Sequence, residues 1–110
     1  MNRVAACALL LIGLTTTAMA GQVYGTLFQD NRPVTGAPVR LTCGNEVANG
    51  ATDSQGVYRV FVRVTGSCTL VLEPDGRRAE GPLYSYDRPT AYDFDVVNQS
   101  GRWILVPRRR

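Results

Sequence analysis

From residue 22 onward the chain alternates apolar and polar positions with a period of two, and no window of about 11 residues carries an apolar helical face. The alternation predicts a strand at 22–28, with Val23, Gly25 and Leu27 on one face and Tyr24, Thr26 and Phe28 on the other. Asp30, Asn31, Pro33 and Gly36 mark the loop that follows. A second strand at 37–43 points Ala37, Val39, Leu41 and Cys43 inward, with Arg40 and Thr42 outward. The polar stretch 44–50 reads as a connection with a short strand around 46–48. Asp53-Ser54-Gln55-Gly56 reads as a tight turn, with Gly56 free to take a left-handed conformation. It launches a strand at 57–64, with Tyr58, Val60, Val62 and Val64 inward and Arg59, Phe61 and Arg63 outward. Cys68, Leu70 and Leu72 share the inner face of the next strand, which Pro74-Asp75-Gly76 ends. The pattern weakens over 77–89, where two prolines predict a long connection with one short edge strand. It recovers at 90–97, with Tyr92, Phe94 and Val96 inward and Asp93 and Asp95 outward. A hairpin loop at 98–101 leads to a last strand at 102–106, stopped by Pro107. Strands at this spacing predict an all-β sandwich.

The first 20 residues follow a different rule. Arg3 precedes an uncharged apolar run, 4–14, and Ala18-Met19-Ala20 has the small-x-small form of a cleavage site. The run is too short to cross a bilayer, which takes about 20 residues. Residues 1–20 are therefore read as a secretory signal cut before Gly21, residues 21–107 as one domain, and 108–110 as a solvated basic tail. The expected location is the periplasm or the outside of the cell, with no membrane span in the mature chain. So short a domain buries little surface and gains much from a covalent staple. Export leaves two cysteines, Cys43 and Cys68, and an even count in an exported chain reads as one disulfide, free thiols being the alternative. Both fall on inward parities, so they can meet inside or at the rim of one core.

Charge adds little. All 12 basic residues are arginine, set against 9 acidic ones, and they are scattered rather than gathered into a stripe with aromatics. No nucleic-acid partner is expected.

Three segments carry a resemblance. "NRPVTGAPVRL", then "TDSQGVYRV", then "GSCTLVLE" resemble the carboxypeptidase regulatory-like domain, whose pattern runs G-x-P-[LV]-x-G-A-x-V-x-L, T-D-x-x-G-x-Y-x-[FLV], G-x-Y-x-[LV]-x-[VL]. Pro33, Val34, Gly36, Ala37, Val39, Leu41, Thr52, Asp53, Gly56, Tyr58 and Val60 match, while Arg32 replaces the first glycine and Cys68 stands where tyrosine is common. The resemblance covers about 22–72 and implies a seven-stranded, Ig-like or prealbumin-like sandwich. It implies that Asp53, Gly56 and Tyr58 serve the fold, the turn aiming Tyr58 into the core. It also implies no catalytic activity and no cofactor, since the module usually accompanies an enzyme or receptor.

The residues point the same way. With no histidine and no lysine, a serine or cysteine nucleophile has no ordinary base. Transthyretin-like hydroxyisourate hydrolases use histidines and end in Tyr-Arg-Gly-Ser, where this chain ends in three arginines. Asp87, Asp93 and Asp95 are the acids to consider for paired-carboxylate chemistry or calcium, but their alternation reads as a solvated face. Asn98-Gln99-Ser100 fits a glycosylation sequon that a hairpin turn explains equally well. The expectation is a non-enzymatic exported module that binds or supports another envelope or extracellular protein through an exposed sheet edge. The alternative is a glycan-binding module using Tyr84, Tyr86 and Trp103. A coplanar exposed pair of rings would favour glycan, a bare, uncharged edge strand a protein.

Overall fold

The computed structural model describes residues 21–109. The signal and cleavage site expected from the sequence lie outside the described residues, as does Arg110. Ten strands follow in order: β1 (Gln22–Gln29), β2 (Arg32–Pro33), β3 (Pro38–Cys43), β4 (Glu46–Ala51), β5 (Val57–Phe61), β6 (Gly66–Leu72), β7 (Ala79–Ser85), β8 (Thr90–Ala91), β9 (Asp93–Gln99) and β10 (Arg102–Arg108). Among the described residues the one helical element is a single 3-10 turn at Pro74–Gly76. The strands pair in the order β2-β1-β9-β10-β7-β6-β3-β4, with β5 and β8 added to β1. β1 thus belongs to two layers. Its first half carries β5 on one side and β8 on the other, and its second half passes to β2 and β9. The sheet curls on itself into an all-β sandwich.

The period-two pattern builds the core. Leu27, Leu41, Tyr58, Leu70, Leu72 and Phe94 are fully buried between the layers. Tyr58 donates its hydroxyl to the Tyr92 carbonyl at 2.7 Å, which satisfies the one polar atom that its burial removes from water. The turn before it is held by Asp53. One carboxylate oxygen accepts the Val57 and Gln55 N–H groups at 2.9 and 2.8 Å, and those bonds, the one from Val57 first, hold the carboxyl below its ordinary pKa. Gly56 takes φ of 80°, and a Cβ there would lie 2.9 Å from Pro33 Cβ, so a side chain is excluded by conformation and by space. Thr52 stitches the turn to β3. Its Oγ1 accepts the Ala37 N–H, and its own N–H donates to the Ala37 carbonyl.

Cys43 and Cys68 form a disulfide. They follow the last β3–β6 ladder pair, Thr42 with Thr69, and face each other with Cα atoms 4.3 Å apart. The bond pins the β3–β4 hairpin to β6. Such a link persists in oxidising compartments.

Several expectations are corrected. The all-β sandwich stands, but its strands differ in detail. Where a long connection with one short edge strand was expected over 77–89, the structure has the seven-residue β7, paired on both sides. Its alternation is complete, but Ala79, Gly81 and Ser85 are three of its four buried positions. At Gly81 the small residue is required because β10 lies close: a Cβ there would fall 2.6 Å from Leu105 Cβ. Pro82 is tolerated because β7 pairs with β10 only at Glu80, so no ladder bond is needed where its N–H is missing. β4 runs on to Ala51, whereas β5 stops at Phe61. Val62 is still held by its N–H bond to the Gly21 carbonyl, but Val64 lies beyond the reach of β1 and is exposed rather than inward. Asp93 is half-buried and accepts the Thr26 N–H at 2.8 Å. Asp95 pairs with Arg108. Arg108 is part of β10, not of a free tail: its guanidinium lies 4.1 Å from the centre of the Phe28 ring and donates to Asn31.

Candidate functional site

Curling brings two strand edges together without joining them. β4 ends the sheet path and pairs with β3 alone, and β5 pairs with β1 alone. Parity decides which backbone groups each edge offers. Val62 N–H donates to the Gly21 carbonyl and Leu27 N–H to the Gly56 carbonyl. With a period of two, Tyr58 and Val60 also turn their backbone groups to β1, and Arg59 and Phe61 turn theirs away. On β4, the Thr52 N–H bond to Ala37 sets the same rule, so Gly50 and Ala48 face β3 while Asn49 and Val47 face outward.

The two edges meet at one end and part at the other. A Cβ on Gly50 would lie 3.1 Å from Val60 Cγ1 and 3.5 Å from the Arg59 carbonyl oxygen. Toward Val47 and Phe61 they splay around a cleft of about 760 Å³. Val47 and Phe61 stand at its walls with 52% and 51% of their surface exposed, and Val64 and Tyr86 line it too. Four of the seven large apolar side chains exposed among the described residues therefore border one opening. Its polar rim holds Arg59, Arg63, Glu46 and Asp87. Paired main-chain donors and acceptors beside uncovered apolar side chains suit an extended peptide backbone.

The sequence-predicted residues are distributed as follows. Asp53, Gly56 and Tyr58 form the turn and the buried face behind β5. The disulfide between Cys43 and Cys68 anchors the hairpin that carries the Glu46 and Val47 rim of the cleft. Tyr84 and Tyr86 are exposed neighbours with ring centres 4.7 Å apart, but their planes are tilted by 51° rather than coplanar. Arg88 lies over the Tyr86 ring. Trp103 does not join them. It is half-buried against the core with Arg77 over its ring at 4.5 Å, and its strand meets β7 at Glu80, roughly 13 Å along the strand from Tyr84. Asn98 accepts the Gly101 N–H and closes its hairpin. Sequence reasoning missed Val47, Asn49 and Val64. Phe61 left a signal, an aromatic ring on the outward parity between two arginines.

No protein-family model matches the chain, and no curated protein matches it in sequence. A solved structure does: that of Klebsiella pneumoniae 5-hydroxyisourate hydrolase, with TM-score 0.59 and 19% identity, covering 81% of this chain and 99% of that one. The fold is transthyretin-like. This corrects the expectation of a non-enzymatic chain, because the solved structure it resembles is that of an enzyme. At this identity the likeness establishes the fold and carries no activity across.

Proposed function

We propose that this chain is an exported module of the carboxypeptidase regulatory-like kind that holds an extended segment of another envelope or extracellular protein, added as a strand at the seam between β4 and β5. One observation carries this reading: two unpaired strand edges face a common cleft whose walls are exposed apolar side chains. Each non-proline residue offers one donor and one acceptor, so Phe61 on one edge and Val47 on the other, at the end where the edges part, can hold a guest backbone. Each such bond contributes about 0.5–1.5 kcal/mol net, and covering Phe61 and Val47 adds about 25 cal/mol per Å² of apolar surface. Ordering the guest offsets part of this, which suits a reversible partner. The resemblance over 22–72 and the disulfide support placement in the periplasm or outside the cell.

Site-specific photocrosslinking tests the reading. A photoreactive residue at position 61 of the mature domain should capture a protein from the native envelope fraction, whereas one at Val97, exposed outside the cleft, should not. Equal capture from both positions, or release of the captured species by soluble oligosaccharide, would count against a strand-docking cleft.

A further inference from the structure

We propose that Asp75, in the exposed Pro74–Gly76 turn, is where isoaspartate forms in the folded domain, and that Asn49, which the sequence alone would favour, is shielded from the same reaction by its strand. Among the described residues a side-chain carbonyl precedes a glycine twice, at Asn49-Gly50 and at Asp75-Gly76. The glycine nitrogen attacks the side-chain carbonyl carbon and a cyclic imide forms, with ammonia leaving from asparagine or water from aspartic acid. Water then opens the imide at either carbonyl. Opening at the main-chain carbonyl leaves the peptide bond running through the side-chain carbon. Ammonia departs more readily than water, so an unstructured chain reacts first at Asn49.

The ring closes only where the backbone can turn the glycine nitrogen onto the side chain, so local freedom decides in the folded domain. Asn49-Gly50 lies inside β4, where Gly50 stands opposite Val39 with its backbone groups turned to β3. A Cβ on Gly50 would lie 3.1 Å from Val60 Cγ1 and 3.5 Å from the Arg59 carbonyl oxygen. Rotation there would break the ladder and drive the chain into β5. Asn-Gly commonly makes a hairpin turn, but here packing demands the glycine and a strand contains it. Asp75-Gly76 has neither restraint. A local bond from the Arg77 N–H to the Pro74 carbonyl, at 3.0 Å, closes the turn. The Asp75 side chain is 86% exposed, and a Cβ on Gly76 would meet nothing within 4 Å. Asp75 is held at φ 52° and ψ 34°, a left-handed conformation that strains a residue bearing a side chain. Arg77 gives the reaction a signal. Its guanidinium reaches the Asp75 carboxylate at 3.4 Å and lies 4.5 Å from the ring centre of Trp103, the one tryptophan of the chain. Isoaspartate draws that carboxylate back onto the Cα, away from Arg77, and disturbs the stack.

Warm incubation of the oxidised mature domain in neutral buffer tests this, beside a sample unfolded in guanidinium chloride, with circular dichroism confirming that the first stays folded. Isoaspartate is measured by enzymatic methyl transfer from S-adenosylmethionine and placed by peptide mapping. Deamidation of Asn49 is read from the mass difference between amide and acid. The folded domain should gain isoaspartate at Asp75 ahead of any change at Asn49, and Trp103 emission should shift over the same time course. The unfolded chain should change first at Asn49. Asp75→Asn should hasten modification of the turn severalfold in the folded domain, because ammonia is then the leaving group. Asp75→Ser should abolish it there and hold the emission steady. Asn49 changing first or at the same pace in the folded domain would overturn the proposal, and so would a folded domain that gains no isoaspartate at Asp75.

Discussion

The curled sheet has two seams, and they are finished differently. On one side β7 runs past the end of its pairing with β10, which leaves the Tyr84 N–H and carbonyl without a strand partner on that flank, its other side being paired with β6. The Tyr92 hydroxyl fills that place, donating to the Tyr84 carbonyl at 2.7 Å and accepting its N–H at 3.3 Å. Tyr92 also receives the Tyr58 hydroxyl at its own carbonyl, so this seam is tied through a side chain to the core. On the other side, between β4 and β5, no strand pairing joins Val47 and Asn49 to Arg59 and Phe61. The contrast teaches that this chain closes an orphaned edge with one tyrosine where closure serves the fold. The open seam is a feature to be explained by use.

The comparison is broken most strongly from within. Tyr58→Ala removes a fully buried ring that lies behind β5 and reaches Tyr92, and it should cost about 3–5 kcal/mol in a chemical melt. Both seams should loosen together. Next, Cys43→Ser or Cys68→Ser should lower stability by about 2–5 kcal/mol, and hydrogen exchange should quicken first in β4, whose hairpin the bond pins. Tyr92→Phe should cost about 0.5–1.5 kcal/mol and speed exchange at the Tyr84 amide while leaving the cleft unchanged. Phe61→Ala, at an exposed position, should change stability by no more than about 0.5 kcal/mol, yet abolish most of the docking. A matching loss of stability would make Phe61 a part of the scaffold instead. The smallest effect concerns pH. The Asp53 carboxyl is held below its ordinary value of 3.8 by the N–H bonds of Val57 and Gln55. Its contribution is therefore present above about pH 4 and is lost as pH falls through the lowered value. Asp53→Ala should flatten that acid limb of a stability profile.

The fold was legible wherever inward residues are large. Tyr58 and Val60, or Val39 and Leu41, alternate with polar neighbours, and the structure buries each of them. β7 was not legible, because its inward Ala79, Gly81 and Ser85 are small and leave little contrast to read, Gly81 being held to that size by Leu105 of β10. Val64 misled for another reason: parity gives a face, but a strand lasts only as long as its neighbour, and β1 begins at Gln22. The cleft was out of reach for the same cause. Whether β4 and β5 are edges depends on strand order, which no local pattern encodes. Only the outward Phe61 between two arginines hinted at it.

A protein that leaves a seam open must also avoid joining itself. Suppose two copies paired β5 to β5 about a two-fold axis through Phe61. Antiparallel register would then set Arg59 of each copy beside Arg63 of the other, twice over. Like charges brought close repel, so such a pairing is disfavoured by the arginines at and just past this edge. The charge that borders the open seam is thus also a guard against its pairing with itself.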